Sequence, residues 1–472
     1  MAPLDAGADA MPAFETAPWL EDFRALVAGL SSHYANLDYA VHDRRMDLAG
    51  LKRRTEVRLL AAKSDDQAQR AFRSFLNAFG DAHLVIDWTT EGRHVGANRT
   101  GPLCARLGYE AREPGGVDFA QVPGFVSVDD TDSEDFPGGV LRLPGGGKIG
   151  VLRIGVFMET AHPKLCETAR TALGLANDAA CDEACADRVE LEVANRLTAA
   201  LERRAGSLAR AGVAAIAVDL MGNGGGTNWV DPAVRTLTPA RLESSAIGVV
   251  RHAHWEKQLS DRLHDVETDL ATHGDLEHGA LASAVTTLRA EIAEVSTPCD
   301  QSALSETGEP KPSCTQLVRV SPVLAYAKVG ALAGRASADA LFGPSRDQYR
   351  EGANTLPLVT LADAGTASAA EDFAEALQDH HAALIVGAQT IGAGCGFTNG
   401  GIPTVLPRSH ARVRMPDCAR IRKDGSNAVA GVTPDVVLPL LERDSPAQRA
   451  AKIAAGLQSA WRGIVVQGTR GR

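Results

Sequence analysis

Leu356-Pro-Leu-Val-Thr-Leu361-Ala-Asp-Ala-Gly365-Thr-Ala-Ser368-Ala-Ala-Glu371-Asp-Phe-Ala-Glu375-Ala-Leu-Gln-Asp-His380 changes period in its middle. The apolar run Leu356 to Leu361 reads as a buried strand, and Asp372 to His380 reads as an amphipathic helix. A strand that runs straight into a helix points to an α/β fold. Ser368 stands at the junction, on a sharp turn that would expose its hydroxyl at the edge of a sheet. The amide of Ala369 and the positive end of the helix would then face the place where an oxyanion forms. The same residues also spell a capping box, with Glu371 three positions after Ser368, so a helix cap competes with a nucleophile for this serine.

A second junction lies upstream. Val213 to Leu220 is another buried-strand run, and Met221-Gly-Asn-Gly224-Gly225-Gly226-Thr-Asn228 follows it. Successive glycines let backbone N–H groups approach a ligand and point the same way. No Lys-Ser/Thr pair follows, so the phosphate-loop pattern fails, and the dinucleotide glycine spacing fails too. An oxyanion hole or a hold on substrate backbone fits these glycines, with a plain tight turn as the alternative.

Among the 13 histidines, His83 sits between the apolar helical stretch Ala71 to Phe79 and the strand pattern Leu84 to Trp88. That position suits a helix C-terminal partner as well as a base. His252 and His254 alternate as a chelating pair would, but no further ligand follows at metal-site spacing, so no metal is expected. His380 and His381 end a helix, where cationic side chains suit the dipole.

Five blocks in order carry a resemblance. They are Gly80-Asp-Ala-His83-Leu, Asp219 to Gly226, Leu361 to Glu371, Gly387-Ala-Gln-Thr-Ile-Gly392, and Gly431-Val-Thr-Pro-Asp435. Together the sequence resembles the C-terminal-processing (tail-specific) serine protease family. The resemblance implies a crotonase-like α/β catalytic core, Ser368 as nucleophile, and protein or peptide as substrate, with no cofactor. The Ser-Lys branch of the family places its base where Ala393 stands here, so the resemblance favours the tricorn-core-like branch, with His83 as base. That branch expects an acidic residue just before Gly431, where related sequences often carry Glu in place of Ala428. Asp424, Asn427 as an orienting amide, or an impaired site at Ala428 are the open alternatives for the third member. Cys395 and Cys418 match cysteines that secreted relatives keep.

Composition bounds the rest. A net charge of −11 disfavours nucleic acid and anionic membrane surfaces as partners. No run of about 18 apolar residues spans a bilayer. Eight cysteines, an even number, suit disulfides, and Cys299 and Cys314 bracket a polar loop as a pair would. Cys181 and Cys185, with Cys166 upstream, also suit a metal site, but no fourth ligand follows. Disulfides imply a periplasmic or extracellular protein whose signal peptide is absent from this sequence.

The organisation expected is an N-terminal helical region over 1–82, a small β-rich subdomain over 83–145, a catalytic domain over 146–440, and a C-terminal helix and tail over 441–472. Charged helical insertions are expected at about 160–211 and 252–316, as scaffold or as a lid. Homo-oligomerisation is an open expectation from the family. The chemistry expected is acyl transfer: His83 deprotonates Ser368, and the N–H of Ala369 with that of Gly224 or Gly225 holds the oxyanion. A peptide-binding homologue that lost catalysis is the rival, and a crotonase-like acyl-thioester enzyme is a more distant one.

Overall fold

The structure, a computed structural model, describes residues 14–88, 101–112, 116–300, 313–320, 322–335, 337–396 and 403–470. Its centre is a seven-stranded sheet. The strands are β1 (Phe125–Ser127), β2 (Gly138–Arg142), β3 (Lys148–Arg153), β4 (Ala215–Asp219), β5 (Leu358–Ala362), β6 (Ala383–Gly387) and β7 (Val436–Val437). They lie side by side in chain order, β1 to β7. β1 to β3 form an antiparallel meander, while β3 to β7 all run parallel. β4 and β5 are buried along their whole length, which is why both read as continuous apolar runs rather than alternating ones.

Parallel neighbours need crossovers, and helices supply them. α1 (Ala17–His33), α2 (Leu48–Ala61) and α3 (Asp65–Asn77) precede the sheet. α4 (Pro163–Ala172) and α5 (Glu183–Arg210) join β3 to β4. α6 (Val230–Leu237), α7 (Ala253–His273) and α8 (Ala280–Val295) lie between β4 and β5. α9 (Ala369–Asp379) joins β5 to β6, and α10 (Pro446–Arg470) ends the described chain. One face of the sheet, with Leu152, Ile216 and Val218, packs on Leu201 and Leu208 of α5 and Phe373 and Leu377 of α9. The opposite face, with Val151, Ala217 and Val359, packs on Ile453 and Leu457 of α10.

Segment 160–211 is therefore not an insertion. Leu197, Leu201, Ala205 and Leu208 of α5 are buried in the main core, and the charged residues that suggested an appendage line its other face. α7 and α8 pack in a core with Val249, Val318 and Cys418. A second sheet of Ala246–Val249, Val318–Val320 and Cys418–Ile421 anchors them. The described strands of residues 83–145 fall in two sheets. β1 and β2 extend the central sheet, while Val85–Asp87 pairs with Arg412–Arg414. The N-terminal helices close on that same distant strand, with Phe23, Phe72 and Phe75 against Leu406 and Val413.

Four disulfides join Cys104–Cys166, Cys181–Cys185, Cys299–Cys314 and Cys395–Cys418. The last two are the pairs expected. The metal-site alternative for Cys166, Cys181 and Cys185 gives way to disulfides, Cys166 to Cys104 and Cys181 to Cys185. Among the described residues no helix is long and apolar enough to cross a membrane.

Candidate active site

β4 and β5 are adjacent and parallel, with Asp219 opposite Leu361, so the loops that leave their C-terminal ends rise together. Asp219 is wholly buried and ion-paired with Arg153 at 2.6 Å. Burial pushes its carboxyl above the ordinary aspartate value, while Arg153 pulls it back down. Its other oxygen accepts from Met221 N–H at 3.0 Å, and Arg153 donates to the Met221 carbonyl at 3.1 Å. The pair thus fixes the turn that starts the glycine loop.

Asp363 does the same work one strand over. Its Oδ1 accepts from the Gly222 and Gly365 amides, each at 2.9 Å, and so ties the two loops to one another. Asn223 reaches back under the sheet to the Ile154 carbonyl at 2.9 Å, while its backbone oxygen receives the Ala367 amide at 3.0 Å.

These ties bring Gly225 against Ser368. A methyl group at Gly225 would stand 2.7 Å from Ser368 Cβ and 2.9 Å from the Ala369 nitrogen, and Gly225 has a φ of 96°. Only glycine meets both demands. Gly225 N–H is taken by Asn223 Oδ1 at 2.9 Å, so of the two expected oxyanion donors in this loop it is the committed one. Gly224 N–H and Ala369 N–H have no hydrogen-bond partner among the described residues.

Ser368 is half-buried and adopts φ 52° and ψ −124° just before α9. A non-glycine residue at such angles stores about 1–3 kcal/mol of strain, which the surroundings must hold in place. Glu371 holds it. Ser368 and Glu371 are a capping-box pair whose well-formed half is the carboxylate's, with Ser368 N–H donating to Glu371 Oε2 at 2.9 Å. The Glu371 amide is 2.7 Å from the Ser368 carbonyl oxygen. The capping-box reading of this serine thus matches the helix start that it occupies.

The Glu371 carboxylate goes further. It accepts from Gly392 and Ala393 N–H, each at 2.8 Å, and from the Thr390 hydroxyl. Arg420, ion-paired with Asp372 of α9, donates to the Gly394 carbonyl. Burial lowers the Arg420 guanidinium to about 10. The next residue, Cys395, is bonded to Cys418, and its carbonyl oxygen lies 3.2 Å from His83 Nδ1. A carbonyl can only accept, so the proton of the neutral ring sits on Nδ1 and Nε2 keeps its lone pair.

His83 is fixed from behind as well. Its N–H donates to Asp81 Oδ1 at 2.9 Å, and Asp81 Oδ2 accepts from Tyr34 at 3.1 Å and Asn36 at 2.9 Å. Asn427 donates to Asn36 at 2.9 Å and caps a short turn through Val429 N–H, so it reaches His83 only through Asn36 and Asp81. Asp424 is exposed and bound to Ser426 in its own turn. Ala428 is buried and faces Gly394, where a methyl would come within 3.2 Å of its Cβ. Among the described residues none of the three expected orienting residues makes a hydrogen bond with the His83 ring, whose Nδ1 lies against the backbone carbonyl of Cys395. A carbonyl partner leaves no trace in residue identity, and only the matching of cysteines could have pointed to it. The His83 ring makes no hydrogen bond to Ser368 among the described residues.

The sequence model of peptidase family S41 matches residues 191–438. A carboxy-terminal-processing protease of Bartonella bacilliformis is 34% identical over 91 residues, which is 18% of this chain and 20% of that protein. The match thus spans about a fifth of the relative's length. Mature CPAF superposes with a TM-score of 0.54 at 14% identity, covering 93% of this chain and 96% of that one. Its complex with lactacystin gives 0.51 at the same identity, covering 94% and 97%. At such identity the likeness is one of fold.

Proposed function

The chain belongs to peptidase family S41, a serine-type family, and on that premise we propose that it is a serine endopeptidase acting on protein or peptide chains through Ser368. The observation that carries the reading is the meeting of a strained serine, a glycine packed on its Cβ, and two amides, of Gly224 and Ala369, without partners among the described residues.

In this reading the core is crotonase-like. His83 Nε2 takes the Ser368 proton as the oxygen attacks a peptide carbonyl. The oxyanion settles between the Gly224 and Ala369 N–H groups, one such donor being worth about 2.7–4 kcal/mol in the transition state. The imidazolium then hands its proton to the leaving amine, and water releases the acyl group. Catalytic hydrogen bonds are often long without substrate, so the base and serine close on one another as the complex forms. Cys395 orients His83 in place of the carboxylate, as a dipole instead of a charge. Its neutral oxygen stabilises the imidazolium less than an acid does, so a slower enzyme is expected than one with a full triad. Four disulfides support an oxidising compartment outside the cytosol.

Intact-mass labelling with a fluorophosphonate tests this. A single adduct on the wild type, absent from Ser368→Ala and His83→Ala, is the expected result. The unbonded Ser368–His83 pair also suits a peptide-binding homologue, and a folded wild type that takes no adduct would select that reading.

A further inference from the structure

A cleft of about 470 Å³ opens beside the glycine loop. Gly224 and Gly225 form part of its wall, and Gly225 also lies against Ser368, so cleft and serine share a boundary. Phe136, Ile154, Met158 and Pro163 make much of the remaining wall apolar. His162, just before α4, lines it with a side chain only 11% exposed.

His162 is built as a receptor. Its Nδ1 lies 2.7 Å from Asp135 Oδ1, and its Nε2 is buried without a hydrogen-bond partner among the described residues. Asp135 as a carboxylate can only accept, so Nδ1 carries the proton and Nε2 of the neutral ring is an acceptor. A buried acceptor left unpaired is costly, so an occupant that donates to it gains over one that cannot.

Charge narrows the occupant. Lys164 is already paired with Glu134 at 2.5 Å, and Asp135 is committed to His162. Arg112, exposed on the lining, disfavours a cationic guest. An anionic tip would meet the lone pair of Nε2 and the charge of Asp135. What remains is an uncharged side chain with an apolar body and a donor at its end, and the volume suits a large one.

We propose that this cleft is a side-chain subsite for a substrate residue next to the scissile bond, and that His162, positioned by Asp135, selects tyrosine. The assignment rests on the reading of Ser368 as nucleophile. His162 is a specificity residue here and takes no part in the proton transfers.

Two measurements test it. In quenched peptides that differ only by Tyr or Phe at each residue flanking the cut, the wild type should favour Tyr at one position by about tenfold in kcat/KM. His162→Phe should bring that ratio to about one, and His162→Gln, which retains an acceptor, should restore part of it. Ser368-dependent cleavage with no Tyr preference, or equal losses on both peptides in both variants, overturns the subsite and leaves the nucleophile standing. If no cleavage occurs at all, ¹⁵N-histidine NMR of the full protein decides independently. N-acetyl-tyrosinamide should move the His162 Nε2 resonance and N-acetyl-phenylalaninamide should not; no selective shift overturns the proposal.

Discussion

Glu371 Oε2 receives the Ser368 amide at 2.9 Å and the Ala393 amide at 2.8 Å, so one buried carboxylate spans the Ser368 turn and the segment that leads to the His83 partner. Ser368 and Cys395 belong to different loops, and Glu371 sets their spacing. Replacing it with Gln keeps the shape but puts an N–H₂ among donors. Glu371→Gln should cost about 2–4 kcal/mol in denaturant unfolding. It should also slow fluorophosphonate labelling by more than the unfolded fraction explains. Normal labelling of a destabilised variant would mean that the carboxylate serves the fold alone.

Asp424 and Asn427 separate cleanly. Asp424→Ala removes only contacts within an exposed turn and should change stability by no more than about 0.5 kcal/mol, with labelling intact. Asn427→Ala cuts the link to Asn36 and should cost about 1 kcal/mol and slow labelling. A large loss of reactivity in Asp424→Ala would restore it as the third member.

Cys418→Ser releases Cys395. A 23-residue loop closed by a disulfide is worth about 3 kcal/mol in the chain-entropy account. Thermal unfolding should show that loss, and labelling at a temperature where the variant stays folded should fall, because the carbonyl on His83 Nδ1 loses its anchor. Unchanged labelling of folded Cys418→Ser would show that Glu371 and Arg420 hold the segment unaided.

His33, His252 and His254 cluster where α1 meets the start of α7, with the His33 and His252 rings 4.9 Å apart and Asp417 3.3 Å from His254. Burial, then the neighbouring His252 and His33, lowers His254 to about 4, and burial lowers His33 and His252 as well. A histidine released by unfolding takes up a proton near 6.5, which the folded one refuses, so unfolding binds protons and acid favours it. Stability should therefore fall as pH drops through 6.5 and stop falling from this source below about 4. Urea midpoints across that range check the sign, and His254→Gln should flatten the slope. A midpoint that rises towards pH 4 in the wild type would contradict the cluster's influence.

The two loops of the candidate site were legible because each is local. An apolar run, a glycine or serine turn and a helix start lie within about twenty residues of one another, and chain neighbours suffice to read them. What lay beyond reach depends on distant pairing. The charged outer face of α5 hid a buried stripe that only the sheet reveals, so a crossover helix looked like an appendage. Val85–Asp87 finds its partner strand more than 300 residues on, at Arg412–Arg414. The third member was sought among side chains, whereas the atom facing His83 Nδ1 belongs to a peptide bond, which every residue has. His162 carries no local sequence signal, because its partner Asp135 is 27 residues away and nothing between them repeats a motif.

The chain-order sequence of strands in the central sheet has one more consequence. The loops after β4 and β5 carry the serine and its amides, while the cleft wall is drawn from the segments before β2 and after β3. On the proposed reading of Ser368 and His162, reaction and choice of substrate occupy separate stretches of chain that meet at the glycine loop, at Gly222, Gly224, Gly225 and Gly226. On that reading, exchange of residues 134–137 and 158–164 as a cassette would change which side chain is accepted and leave the Ser368 loop as it stands.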